Sequence, residues 1–349
     1  MEKSFTQNEK RFSQVALSPA RVRIYEVAQA AGVSIATASK ALNDTGRMAE
    51  ETRQRVRQVA AELGFRPNAM ARALLSKRSF TIGLLTNDTY GRFTLPLMAG
   101  VSEALVDEGV SVFLCTIEDD PQLARVHVDA LLDKQVDGII ASGKRIDRRL
   151  QVDLTNLSIP VVYAFTEGPD DAVRLVSDDA QGAREAVQWL RGLGRRRIVH
   201  VTGPGSFASV QERTGAFREV VGPDGQVLFG NWSEAWGHEA VRRLWQASAS
   251  QPDAIFCGND QIARGVCDAL RERGVSVPAE VSVVGFDNWE IVAAATRPPL
   301  TTVDMNLKQL GREAGRLVLA LARGEAVTPG LRKLACQLVV RQSCGGGVT

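Results

Sequence analysis

Two sets of residues in this chain have types and spacings that can do chemistry. In the first, Ile35, Ala36, Thr37, Ser39 and Lys40 fall on the outward side of a short helix predicted to open at Ser34 and run through Asn43. In the second, polar residues follow short apolar runs: Asn87 and Asp88 after 81–86, Asn259 and Asp260 after 254–258, Asp287 and Asn288 after 281–286. Carboxylates and amides at such strand ends can exchange hydrogen bonds with several ligand hydroxyls. The aromatic faces of Phe93, Tyr163, Phe165, Trp232 and Trp236 are available to cover a sugar ring. A lone Asp after a strand serves equally well as a helix cap or turn residue, and Asp88, Asp260 and Asp287 each have that alternative.

The first set needs a scaffold of short helices. Residues 25–31 carry Val27, Ala28 and Ala31 on one face, and Gly32 and Val33 form a turn before Ser34. A helix-turn-helix requires a small residue where the helices touch, a Gly able to take positive φ, and small apolar residues inside the second helix. Ala28, Gly32, Val33, Ala38 and Ala41 supply these in order, and Ser34 can cap the second helix. A plain helical hairpin satisfies the same segment. A third helix is predicted over 50–63, with Thr52, Val56, Val59, Ala60 and Leu63 on its inner face, Gly64 ending it and Pro67 preventing its continuation. Ala49 stands where a capping Ser or Thr is expected, which weakens this helix by about 0.5–2 kcal/mol. Residues 68–76 are a capping Asn followed by good helix formers, too short a run to be stable alone in water.

From Phe80 onward short apolar runs alternate with amphipathic stretches, the pattern of parallel βαβ units, and this length suits two doubly wound halves with a cleft at the strands' carboxyl ends. The whole chain has 349 residues, 44% of them hydrophobic, which is ordinary for a folded protein and excludes a disordered or collagen-like one. No run approaches the roughly 18 apolar residues of a membrane span, and residues 1–20 lack the apolar core of a secretory signal. The expectation is a cytoplasmic protein without a membrane partner. Five scattered cysteines read as reduced core or tail thiols, with neither disulfide framework nor metal site expected. The net charge of +2 conceals an asymmetry: residues 1–79 hold 14 Lys and Arg against 7 Asp and Glu, leaving −5 on the rest. A basic head on an acidic body implies a polyanion partner for the head alone. No P-loop, GxGxxG or GxSxG occurs, and the three His are far apart, so no catalytic residue and no cofactor is expected.

The stretch 25–34, then Asn43, Glu51-Thr52-Arg53 and Phe65-Arg66-Pro67-Asn68-Ala69, resembles the lactose-repressor (LacI/GalR) family of bacterial transcription regulators. The resemblance runs from about Arg23 to Arg341. It implies a helix-turn-helix head on an α/β core like that of periplasmic binding proteins, built of two doubly wound parallel-sheet subdomains. The implied boundaries are an arm at 1–22, the head at 23–66, a hinge helix at 67–79, an N-subdomain at 80–176 plus 306–333, a C-subdomain at 177–305 plus 334–341, and a flexible tail at 342–349.

The resemblance further implies that Ile35, Ala36, Thr37 and Lys40 face base edges while Ser34, Ser39 and Asn43 hold phosphates. Chemistry agrees, since Lys40 can donate to guanine and Ile35 and Ala36 can meet thymine methyls. Asn68, Ala71 and Leu74 belong to the hinge, Leu74 at the position of a wedge that kinks the minor groove. Asp88, Phe93, Arg213, Trp232, Asn259 and Asp287 are the expected ligand residues, together with Phe165, which stands where lactose-type members carry an Asp and so weakens any inference to the same sugar. The implied protein is a homodimeric repressor on near-palindromic operator DNA, controlled by a small effector, with a sugar favoured over a nucleobase or sugar phosphate. A solute receptor sharing the cleft but lacking DNA function is the reading from another class.

Overall fold

The computed structural model describes residues 22–66, 78–247 and 251–345. The chain divides into two compact units, the first ending at Lys77 and the second beginning at Arg78.

The first unit is built on small side chains. Helices α1 (Ile24–Ala30), α2 (Ile35–Leu42) and α3 (Glu50–Glu62) close on Val27, Ala28, Ala31, Ala38, Ala41, Val56 and Ala60, all buried. Gly32 at φ +64° makes the turn, after which the Val33 N–H reaches back to the Ala28 carbonyl at 3.0 Å. Ser34 caps α2 by accepting the Thr37 N–H at 3.0 Å, whereas Ala49 gives α3 no side-chain cap. Leu63, expected on the inner face, is instead exposed because α3 ends before it.

The second unit holds two six-stranded sheets. In the N-lobe, β1 (Thr81–Thr86), β2 (Ser111–Thr116), β3 (Gly138–Ser142), β4 (Val161–Ala164) and β5 (Val173–Ser177) lie in the order 5-4-3-1-2, with α4 (Thr94–Leu105) and α5 (Pro121–Asp133) between them in sequence. After α6 (Asp179–Gly192), the C-lobe repeats the pattern with β6 (Ile198–Thr202), α7 (Ala208–Val221), β7 (Val227–Phe229), α8 (Glu234–Ala247), β8 (Ala254–Cys257), α9 (Asp260–Glu272), β9 (Ser282–Asp287), the single turn α10 (Glu290–Ala293) and β10 (Thr301–Asp304), ordered 10-9-8-6-7. The chain then returns: α11 (Leu307–Ala322) packs on α4, β11 (Gly330–Leu334) joins β5 in parallel, and β12 (Gln337–Val339) pairs β10 antiparallel. The chain thus passes between lobes three times. Residues Ser177 and Leu334 still belong to N-lobe strands, one residue beyond the expected boundaries.

Two expectations change at the ends of this unit. Residues 78 and 79 are not helical: Asp137 accepts the Ser79 and Phe80 N–H groups at 2.7 and 3.0 Å, fastening the entry to β1. Residues 342–345 are not a free tail either. Gln342–Cys344 form a 3-10 turn whose buried Ser343 accepts the Thr301 N–H at 2.8 Å and donates to the Val283 carbonyl at 2.6 Å. Among the described residues no helix is long and apolar enough to cross a membrane.

Candidate functional site

In the first unit the seven expected residues of α2 and its caps form a continuous outward strip. Ser34, Ile35, Ala36, Lys40 and Asn43 are exposed, Ile35 at 54%, an unusual value for Ile in so small a unit. Thr37 and Ser39 are half-buried, and their hydroxyls lie 2.8 Å from Ser34 Oγ and 3.4 Å from Asn43 Nδ2. The stem of Lys40 runs over Gly46, where a Cβ would come within 3.1 Å of Lys40 Cδ. Two arginines missed at the sequence level hold the next loop: Arg53 and Arg57 of α3 bind the Asp44 carboxylate at 3.0 and 2.5 Å. Asn68, Ala71 and Leu74 lie outside the described residues.

In the second unit the carboxyl ends of both sheets face a cavity of about 590 Å³, and the seven expected ligand residues Asp88, Phe93, Phe165, Arg213, Trp232, Asn259 and Asp287 all line it. In each lobe the strand order reverses between the first and third strands, and a crevice opens where their following loops diverge. Asp88 enters from the β1 loop, Phe165 from β4, Asn259 from β8 and Asp287 from β9. Tyr163 and Trp236 do not reach the cavity. Tyr163 is buried in the N-lobe core, and Trp236 is buried in the C-lobe core with its Nε1–H on the Thr202 carbonyl at 2.9 Å.

Most of the strand-end polar groups also carry structural bonds, as their capping alternative anticipated. Asp88 Oδ2 accepts the Phe93 and Thr94 N–H groups at 2.7 and 2.9 Å and so starts α4. Asn259 Oδ1 accepts the Ile262 N–H at 2.8 Å and caps α9. Asp260 is fully buried, accepting from Thr302 Oγ1 at 2.5 Å and the Trp289 N–H at 2.7 Å, and burial pushes its carboxyl up to about 7. Asn87 does not line the cavity; it ties three strand ends together through Asp119 and the Lys144 N–H.

Arg213 is 4% exposed and almost fully engaged. Its Nε donates to Asp179 Oδ1 at 2.7 Å, Nη1 to the Gly258 carbonyl at 2.5 Å, and its plane lies 3.6 Å from the Phe286 ring centroid. Burial pushes the Asp179 carboxyl above its ordinary range while Arg213 pulls it back. Asp287 Oδ1 stands 3.9 Å from Arg213 Nη1, and its other oxygen is taken by Arg92. Asp287 and Asn288 both have positive φ, +104° and +50°, a strained backbone of the kind that collects at functional sites.

Arg92 is the principal residue the sequence reading missed. It leaves the N-lobe in the β1–α4 loop, crosses the cleft to Asp287 and to Gln261 Oε1 at 3.1 Å, and lies over the rings of Phe93 and Trp289 at 5.1 and 5.0 Å. Burial lowers its guanidinium to about 10. Arg145, Phe207 and Trp289 were missed as well. Arg145 stacks across the lobes on Phe207 at 3.6 Å while Asp147 accepts the Ala208 N–H at 2.9 Å. Only Arg92-Phe93, a cation and an aromatic just after the first strand, gave a sequence signal that could have been read. Trp232 is seated against Gly203, where a Cβ would come within 2.3 Å of its ring.

Residues 23–68 match the family described as bacterial regulatory proteins, lacI family, and 187–344 match a periplasmic binding protein-like domain. The HTH-type transcriptional regulator DegA of Bacillus subtilis (strain 168) is 33% identical over 333 residues, 93% of this chain and 98% of that protein. The chain belongs to the LacI family. It is a DNA-binding transcriptional regulator, and the solute-receptor reading is set aside because the likeness spans head and core together. Among solved structures, a lac repressor dimer bound to operator and the anti-inducer ONPF is 27% identical with a TM-score of 0.70, covering 93% of this chain and 99% of that one. The transcriptional regulator CelR in complex with cellobiose is 28% identical with a TM-score of 0.62, covering 93% of this LacI-family chain and 100% of that one.

Proposed function

We propose that this regulator is a homodimeric repressor without enzymatic activity, whose hold on a near-palindromic operator is set by a sugar bound between the two lobes. The observation that carries this reading is the cavity at the strands' carboxyl ends, which gathers side chains from both lobes. A ligand touching both lobes favours one relative lobe angle, and by reciprocity whatever loosens the operator must itself bind the operator complex less tightly. The CelR–cellobiose complex and the lac repressor bound to operator support each half of the reading by likeness. In the head, Ile35, Ala36, Thr37 and Lys40 would read bases while Ser34, Ser39 and Asn43 hold phosphates. Residues 67–77 would be the hinge, with Asn68 and Ala71 on the DNA and Leu74 as the wedge. Two-fold pairing would use the outward side of α4, since Leu97, Val101 and Leu105 are already buried within the lobe.

Operator titration by fluorescence anisotropy, with and without a panel of mono- and disaccharides, tests the reading. Asp287→Ala is expected to keep operator affinity and lose the sugar response. A variant that responds as the parent does, or one whose core unfolds, would return Asp287 to the role of turn residue.

A further inference from the structure

The charges around the cavity are arranged with one sense. Arg92, Lys144 and Arg145 from the N-lobe and Arg213 from the C-lobe line it. Three of them are held by carboxylates that do not line it: Lys144 by Asp119 at 3.4 Å, Arg145 by Asp147 at 2.8 Å, Arg213 by Asp179 at 2.5 Å. In each pair the cation borders the cavity and its counter-charge stands behind. Of the two carboxylates that do border it, Asp88 gives one oxygen to two backbone N–H groups and Asp287 is paired with Arg92 and Arg213. A neutral sugar needs acceptors for its hydroxyl protons as well as donors, and here the unspent capacity is mostly donor. Ion pairs fixed with their positive ends inward favour negative charge in the space they face.

Arg92 is the group best placed to receive that charge. Of its five N–H donors, one goes to Gln261 and one to Asp287, while the buried Nε has no hydrogen-bond partner among the described residues. The rings of Phe93 and Trp289 lie about 5 Å from its guanidinium carbon, and its planar fork is the group that matches carboxylate and phosphate oxygens. Arg92 and Asp287 also border a second cavity of about 330 Å³, so their pair is shared by both spaces.

We infer that the effector is an acidic sugar, carrying a carboxylate or a phosphate, and that Arg92 receives the anion. The inference rests on reading the cavity as the effector site. Isothermal titration of the full chain with matched sets, glucose against glucuronate and glucose 6-phosphate, galactose against galacturonate, separates the charge from the ring and the carboxylate from the phosphate. At least one acid is expected to bind about tenfold or more tightly than its neutral parent. In Arg92→Gln that preference should fall by about tenfold or more, and in Arg92→Lys, which keeps the charge and loses the fork, it should fall part-way, with circular dichroism unchanged. A neutral parent binding as tightly as its acids overturns the inference and leaves the sugar reading standing. A preference that survives in Arg92→Gln overturns the role of Arg92, and silence from every compound overturns both the inference and the sugar reading.

Discussion

The two lobes of the core share a plan and differ in what they bring to the space between them. Both order their strands 2-1-3-4-5, and both press two helices together through glycines: Gly100 and Gly311 between α4 and α11 in the N-lobe, Gly237 and Gly265 between α8 and α9 in the C-lobe. At each crossing a Cβ would fall within about 2.3 Å of a facing carbonyl oxygen, and at Gly100 within 1.8 Å. The N-lobe contributes three of the four cations that line the cavity, Lys144 exposed and Arg92 and Arg145 half-buried, whereas the C-lobe contributes a single arginine locked at 4% exposure together with Asn259, Gln261 and Asp287. Topology repeats because backbone packing dictates it. Site chemistry does not, because it rides on the loops after the strands.

The sharpest way to break this comparison is to remove one cation from each lobe. Arg213→Ala leaves the fully buried Asp179 without its ion-pair partner and is expected to cost about 3–5 kcal/mol of core stability. Arg145→Ala, whose pair with Asp147 is partly solvated, is expected to cost about 1 kcal/mol or less. Urea unfolding followed by tryptophan fluorescence measures both, and equal losses would show that the lobes hold their cations alike. The shared plan predicts the opposite symmetry for the glycine crossings. Gly100→Ala and Gly265→Ala should each cost about 1–3 kcal/mol through overpacking, in similar amounts, as read from the same unfolding curves. A loss confined to one of them would mean that the two crossings are not equivalent.

The same division explains what could be read from the sequence. The head was legible because its signals are local: Gly32 at positive φ, Ser34 as cap and the small inner residues all act within a few positions. The strand-end residues of the core were legible because a polar pair after an apolar run is also a local pattern. Arg92, Phe207 and Trp289 were not, since each gains its role from partners across the cleft, and Arg92 and Asp287 are 195 positions apart. Five strands, β5, β7, β10, β11 and β12, escaped, three of them for a related reason. β10 is Thr-Thr-Val-Asp, β11 carries Arg332 and Lys333, and β5 carries Arg174, so none shows a plain apolar run. The helix α7 was likewise hidden behind Gln211, Glu212, Arg213 and Thr214, and α11 behind the glycines that let it approach α4. The free-tail expectation failed at residues 342–345 because Ser343 finds two backbone partners that no local pattern reveals.

On the head, Lys40→Ala tests whether local legibility extends to base reading. Its exposed position on α2 predicts a loss of about 1–3 kcal/mol confined to one operator position, measured by anisotropy against a set of single-base variants. A uniform loss across all sequences would move Lys40 to the phosphate contacts.

The smallest effect concerns Asp260, the strand-end carboxylate that faces the C-lobe interior instead of the cavity. Its pKa is raised by burial to about 7 from an ordinary 3.8, against the pull of Thr302, the Trp289 N–H, Arg92 and Arg341. A carboxyl raised in the folded state holds its proton after the unfolded chain has released it. Its contribution to stability is therefore complete below about pH 4 and declines as pH rises towards and through 7. Asp260→Asn, which cannot ionise, should remove that decline. Urea unfolding of parent and variant at steps from pH 5 to pH 8 should show the parent losing ground to the variant as pH rises, and parallel curves would place the ionisation of Asp260 well below this range.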